Sequence, residues 1–164
     1  MLKYAMLVAL FCCACVTFAA DKSAQQGQPL PEINAIDENG QQVSLNSYKG
    51  KNGLIIFFFP KAFTGGCVCE NAGFRDYLSK YQDKGYAVVG ASRDEPATLV
   101  KFKQIYRLNY PLLSDPNDEL ARSLGLVGGQ RDTIVVDKNG VVFKQYHNVD
   151  APKHHKDLLK EIPK

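Results

Sequence analysis

The chain has no block of like charge. Its lysines are scattered among acids from Lys49 to Lys164, and the net charge is only +3. Neutralising many phosphates needs a clustered basic stripe, so nucleic-acid binding is not expected. There is no low-complexity tract either, and 45% apolar with 23% charged residues describes a globular chain rather than a disordered or fibrous one. The length of 164 residues suits one hydrophobic core and calls for no second domain.

No hydrophobic run reaches membrane-spanning length. The longest uncharged one, Tyr4 to Phe18, follows Lys3 and ends in small residues before Asp21. About fifteen apolar residues fall short of the roughly twenty that cross a bilayer, and the pattern is that of a secretory signal peptide. Residues 1–19 are read as a leader cut after Ala19, which leaves Thr17 and Ala19 at the specificity positions. Residues 20–164 are then a single exported domain, periplasmic or secreted. Lipid attachment at Cys15 is the less favoured alternative, because Cys12 and Cys13 before it make a poor lipoprotein signal.

Cysteine is scarce once the leader is set aside. Cys12, Cys13 and Cys15 go with it, and only Cys67 and Cys69 remain. The domain therefore has no structural disulfide framework. It also has no CxxC pair, since Val68 alone separates the two thiols, and two thiols make only half of a four-ligand zinc site. In an oxidising compartment, two neighbouring thiols without another partner point to redox chemistry rather than stapling.

What the sequence does contain is an alternation of strand and helix signals. Ile33 to Ile36 and Gln42 to Leu45 flank the turn pair Asn39-Gly40, an N-terminal β-hairpin signature. Gly53 to Phe59, GLIIFFF, is a continuous apolar run, as expected of a strand covered on both faces. Phe74, Tyr77, Leu78 and Tyr81 recur at helical spacing. Tyr86 to Ala91 reads as a second buried strand, and Pro96 to Tyr106 as a helix with Leu99, Phe102 and Ile105 on one stripe. A short strand is expected over Tyr110 to Leu113 and a short helix over Leu120 to Leu124. Thr133 to Val136 and Val141 to His147 bracket a second hairpin at Asn139-Gly140. A last helix, with Asp150 near its start and Pro152 in its first turn, would bury Leu158, Leu159 and Ile162. The sum is an α/β domain: a mixed central sheet flanked by helices, the thioredoxin-like arrangement.

In that arrangement the loop after the first central strand delivers Cys67 to the start of a helix. A thiolate there faces unpaired backbone N–H groups and the positive end of the helix dipole, which favours the reactive form. At 100° per residue, Cys67 falls within about 20° of Phe74 on the core-facing stripe, and Cys69 lies about 160° away.

The spacing Pro60-x-x-x-Thr64-x-x-Cys67 resembles the active-site motif of the peroxiredoxins, thiol peroxidases that reduce hydroperoxides. "FPKAFTGGC", "GFRD", "LLSDPN" and "RDTIVVDKNG" are similar to the bacterioferritin-comigratory, or peroxiredoxin Q, branch, and the resemblance runs from about Gly27 to Ile162. It implies that Cys67 is the peroxidatic nucleophile. Thr64 would hold the peroxide, Pro60 would shield the thiolate, and Arg131 would stabilise the thiolate and polarise the O–O bond. Glu70 would support the loop. The implied substrates are hydrogen peroxide and organic hydroperoxides, with a thioredoxin-like protein or a small thiol as reductant. The implied assembly is a monomer or weak homodimer, and no metal, haem or flavin is called for.

The chain departs from the branch at the resolving position. Many relatives carry a second cysteine five residues after the nucleophile, where this chain has Ala72; Cys69 shares that face of the helix. Residues two apart on a helix cannot meet disulfide geometry unless the first turn unwinds. Internal resolution by Cys69, reset by an external thiol, a bond between chains through Cys69, and Cys69 as an incidental helix residue all stay open. Two other functions are weighed: an exported thioredoxin-like thiol-disulfide oxidoreductase, and a Cu(I)-binding protein using Cys67 and Cys69 with His147, His154 or His155. In the polar run "PKHHKD", His154 and His155 are expected on a solvated helix face. Phe59 and Phe63 are expected to line an apolar pocket beside the loop.

Overall fold

The computed structural model describes residues 24–163. The leader, with Cys12, Cys13 and Cys15, lies outside the described residues. The domain opens with a hairpin, β1 (Asn34–Asp37) and β2 (Gln42–Ser44), turned at Asn39-Gly40 as expected. Asp37 Oδ1 accepts the backbone N–H groups of Asn39 and Gln41, and Gly40 takes the positive φ of 77° that the turn requires.

Strand β3 (Gly53–Phe59) is buried at every position. Its side chains alternate: Leu54, Ile56 and Phe58 pack into one core, and Ile55, Phe57 and Phe59 into another. Each fully buried Leu, Ile or Phe side chain contributes about 1.5–3 kcal/mol, which explains why β3 can occupy the centre of the sheet. Helix α1 (Gly65–Asp83) follows, then β4 (Tyr86–Ser92), α2 (Pro96–Ile105), β5 (Leu112–Ser114) and the short α3 (Glu119–Ser123). The hairpin β6 (Thr133–Asp137) and β7 (Val142–Tyr146) and a final helix α4 (His154–Glu161) complete the chain.

The seven strands form one sheet in the order β2-β1-β5-β4-β3-β6-β7. Strands β3, β4 and β5 run parallel, and β6 returns antiparallel to β3. Helices α1, α2 and α4 cover one face, where Phe74, Leu99, Phe102 and Leu158 meet Phe57 and Phe59. The other face is covered by Leu45 and by Leu120, Ala121 and Leu124 in and beside α3. This is the thioredoxin-like sheet that the sequence pattern calls for.

Three elements differ from expectation. Ile105 is 65% exposed, not on the core stripe. On α2 the buried row is Leu99 and Phe102, continued by the half-buried Tyr106, whose ring packs tilted against Phe102 at 5.0 Å; an i, i+3, i+7 row stays on one side of a helix better than i, i+3, i+6. Strand β5 begins at Leu112 rather than Tyr110, because Pro111 has no N–H to give to the ladder. Helix α4 begins at His154, so Asp150 and Pro152 form a turn ahead of it, with the Asp150 carbonyl accepting from the Lys153 and His154 N–H groups.

That helix departs furthest from expectation. His154 and His155 are both buried, not solvated. His154 Nε2 lies 2.9 Å from the Thr133 hydroxyl, and His155 packs edge-on against Phe74 and Tyr77. The depth of His155 follows from Gly73: a Cβ there would lie 2.3 Å from His155 Nδ1, so only glycine lets α4 sit this close to α1. The period was present in the sequence, since His154, Leu158 and Ile162 recur four residues apart, but the polar letters around it masked the stripe.

Candidate active site

The end of β3 at the centre of the sheet aims the chain into a tight loop. Pro60 is half-buried, and Phe63 takes a left-handed φ of 64°, unusual for a bulky residue. This loop is pinned from below: the Ala62 N–H donates to Asp94 Oδ2 at 2.6 Å, and the Ser92 hydroxyl donates to the same oxygen at 2.6 Å. Asp94 follows β4, so the neighbouring strand holds the loop in place. Sequence reasoning missed Asp94 and Ser92; the available signal is "ASRD" at the carboxyl end of a buried parallel strand, where open α/β sheets place their sites.

Thr64 is exposed and stands at the N-cap of α1, but its hydroxyl donates to the Lys61 carbonyl at 3.0 Å and caps no helix N–H. The first turn also has no acidic residue and contains Gly65 and Gly66. The two glycines add no side-chain contacts to this turn, and a missing side-chain cap forfeits about 1 kcal/mol. The turn that carries Cys67 is therefore held weakly by its own backbone.

Cys67 is fully buried on the inner face of α1, and Cys69 is exposed on the outer face. That is the division the helical wheel predicts. Arg131, in the segment leading into β6, reaches across to this turn. Its Nη2 lies 3.5 Å from the Cys67 sulfur, and its Nη1 donates to Glu70 Oε2 at 2.8 Å. Gly66 makes room for it, since a Cβ at Gly66 would lie 2.8 Å from Arg131 Nη2. The second glycine of "TGGC" is thus a site residue that the sequence reading passed over.

Glu70 is itself fully buried, and its Oε1 has no hydrogen-bond partner. Burial pushes its carboxyl up to about 7, against the pull of Arg131 in the other direction. The role expected for Glu70, support of the loop, is more specific in the structure: it orients the guanidinium that faces the sulfur.

Behind the turn, the Asn71 side-chain N–H donates to the Cys67 carbonyl at 2.9 Å, and the Tyr110 hydroxyl lies 2.9 Å from both Asn71 oxygens. Neither residue was singled out from the sequence, because a lone Asn and Tyr far apart in the chain carry no pattern. An open cavity of about 360 Å³ adjoins Arg131 and is lined by Pro60, Gly129, Gln130, Arg131, Asn148 and Val149. Of the two phenylalanines expected beside the loop, only Phe63 reaches the surface. Phe59 is buried in the core against Phe102, and Phe63, 45% exposed, lies edge-on to Phe102 beside Tyr106.

The histidines stand apart from the thiols. His147 faces Asp132 at 3.4 Å, and His154 and His155 belong to the packing between α1 and α4. Among the described residues, no group of three or more His, Cys, Asp or Glu is placed to hold a metal ion.

A redox pair of the CxxC type would present its first thiol to solvent; here the helix-start thiol is shut in under an arginine. On a thioredoxin-like sheet, that combination defines a protein of peroxiredoxin type. The chain matches the AhpC/TSA family over residues 26–145 and belongs to that family, in its peroxiredoxin Q and bacterioferritin-comigratory branch. It is 36% identical over 138 residues to the chloroplastic peroxiredoxin Q of Gentiana triflora, a match covering 80% of this chain and 63% of that protein. The chain therefore spans just under two thirds of such chloroplastic relatives. Among solved structures it is similar to peroxidoxin BcpB from Mycobacterium tuberculosis, with a TM-score of 0.76 and 27% identity, covering 86% of this chain and 99% of that one. Peroxiredoxin Q of Xanthomonas campestris shares the fold, with a TM-score of 0.72 at 24% identity over 78% of this chain and 87% of that one.

Proposed function

We propose that the protein is an exported thiol peroxidase that reduces hydrogen peroxide and organic hydroperoxides through Cys67. The observation that carries this reading is the Arg131 guanidinium on the Cys67 sulfur at the N-terminus of α1. The N-terminus of α1 and the guanidinium both place positive charge beside the sulfur. The thiolate attacks the terminal peroxide oxygen, the O–O bond breaks, and the departing alkoxide or hydroxide takes up a proton, leaving a sulfenic acid on Cys67. Arg131 has donors for the sulfur and for the oxyanion that develops in this step. Thr64 offers a hydroxyl to the bound peroxide, Pro60 screens the sulfur from water, and Glu70 keeps the guanidinium in register.

A thiol then attacks the sulfenic sulfur; an S–S bond forms, the S–O bond breaks and water leaves. A second thiol, from a thioredoxin-like protein or a small thiol, returns Cys67 to the reduced state. Cys69 is a resolving candidate on the outer face of the same helix, and the short span makes any Cys67–Cys69 bond a labile oxidant. Loss of two hydrogens after stoichiometric peroxide, present in the mature protein and absent in Cys69→Ser, is the signature of internal resolution; a sulfenic or over-oxidised mass in both removes it. The function as a whole is tested by Cys67→Ser, which should abolish peroxide consumption, and activity surviving that change would sink it.

A further inference from the structure

Cys67 has no exposed surface, and Cys69 points to the other side of α1. Whichever thiol resets Cys67, the oxidised sulfur has to leave this position, so the proposed cycle needs the first turn of α1 to open once per turnover. From outside the turn is held by Arg131, through the Cys67 sulfur and Glu70, but it has no side-chain cap, no first-turn acid, and two glycines.

From inside it is tethered. Asn71 Nδ2 donates to the Cys67 carbonyl at 2.9 Å, and Tyr110, entering from the segment before β5, brings its hydroxyl to 2.9 Å from the Asn71 side-chain and main-chain oxygens. Asn71 is fully buried and Tyr110 is 3% exposed. Burial and the nearby Glu70 keep the Tyr110 hydroxyl protonated, hence a donor. The Tyr110 ring is wedged edge-on against Phe57 at 5.7 Å, and Phe57 stacks on Phe74 at 4.2 Å, so the anchor cannot follow the turn outward. Opening the turn pulls the Cys67 carbonyl off Asn71 and leaves a buried amide without its partner, a cost on top of the helix bonds lost.

We propose that Asn71 and Tyr110 are positioning residues that hold the Cys67 turn closed, and thereby set how oxidised Cys67 divides between attack by a thiol and attack on a second peroxide. The proposal rests on the thiol-peroxidase reading. In the closed turn the sulfenate meets only small oxidants: its sulfur attacks a further hydroperoxide, the O–O bond breaks, alcohol or water leaves and sulfinate results, with sulfur oxidised by two electrons. In the open turn a thiol attacks the sulfenic sulfur, forming the disulfide with loss of water. A looser tether therefore favours the disulfide, and a tighter one the sulfinate.

The test compares Tyr110→Phe, Asn71→Ala and Tyr81→Phe in the mature protein, with hydrogen peroxide increased at a fixed dithiothreitol concentration and the Cys67 product read by intact mass. Tyr81 is the control, because its buried hydroxyl donates to the His155 carbonyl at 2.6 Å from the same helix but away from the Cys67 turn. The peroxide concentration that drives half of Cys67 to sulfinate should rise about fivefold in Tyr110→Phe, as expected for one buried hydrogen bond removed from an opening equilibrium. Asn71→Ala should shift it at least as far, and Tyr81→Phe should match wild type. If Tyr110→Phe matches wild type, or if Tyr81→Phe shifts equally, the tether is overturned. Should Asn71→Ala not fold, the two tyrosine variants decide the matter. A wild-type Cys67 that peroxide leaves unmodified would take down the peroxidase reading and the tether together, whereas an oxidised wild type with unshifted variants takes down the tether alone.

Discussion

The Nη2 atom of Arg131 lies 3.5 Å from the sulfur of Cys67, across a separation of 64 residues in the chain. The same guanidinium is held by Glu70 through its other terminal nitrogen. Lysine could keep the charge but not the fork that bridges sulfur and carboxylate. Arg131→Lys should lower kcat/KM for hydrogen peroxide about a hundredfold, the loss typical of one preorganised donor. Stopped-flow oxidation of Cys67 measures it, and a change within about twofold would remove Arg131 from the peroxide step.

Two buried groups pull the pH dependence of stability in opposite directions. The Glu70 carboxyl is raised by burial from 4.5 to about 7, so its contribution is fully present below 4.5 and is lost as the pH rises through about 7. The His154 imidazole is lowered by burial, and next by His155, from 6.5 to about 4, so its contribution is present above 6.5 and lost as the pH falls through about 4. Between about 4.5 and 6.5 the two offset each other. Glu70→Gln should make stability rise with pH across that window, and His154→Gln should make it fall. Urea midpoints at several pH values give the slopes; equal slopes in the two variants would contradict these assignments.

Gly73 is where α4 closes on α1. A Cβ there would lie 2.3 to 2.7 Å from three atoms of the His155 ring, which is itself packed between Phe74 and Tyr77. Gly73→Ala should destabilise the fold by about 1–3 kcal/mol, the usual range for overpacking. Combining it with His155→Ala should cost less than the sum of the two single changes. Denaturant unfolding of the four proteins in this cycle checks both statements, and strict additivity would mean that the clash is relieved elsewhere.

Asp94 ties the loop between β3 and α1 to the end of β4 through the Ala62 N–H and the Ser92 hydroxyl. Asp94→Ala frees the loop that presents Pro60 and Thr64. It should reduce kcat/KM for peroxide by about tenfold or more, as expected for a lost hydrogen bond to a charged acceptor. Asp94→Asn, which keeps an acceptor oxygen, should recover much of that loss. Equal defects in the two variants would show that the carboxylate does more than hold the loop.

The main elements were legible because their signals are local. GLIIFFF needs no partner to be recognised as a doubly covered strand, and the two Asn-Gly turns announce their hairpins. The faces of α1 were equally readable: the 3.6-residue period puts Cys67 inside with Phe74 and Cys69 outside. Local patterns failed where a neighbour decided the matter. His154 and His155 looked solvated because their partners, Gly73, Thr133 and Tyr77, sit in other segments. Ile105 looked buried because the counterpart of its position, Tyr106, completes the row instead.

The sequence by itself determined the order of strands and helices, the helix-start position of Cys67 and the family motif around it. Those depend on backbone preference and periodicity, which act over a few residues. Only the tertiary structure decided that Arg131 reaches the sulfur through the space left by Gly66, that Glu70 is buried beneath it, and that Asn71 and Tyr110 close over the Cys67 carbonyl. Each of these contacts joins distant segments or depends on how they pack, and the sheet order that brings β6 and β5 around the β3–α1 junction is set by burial of the whole core rather than by any one segment.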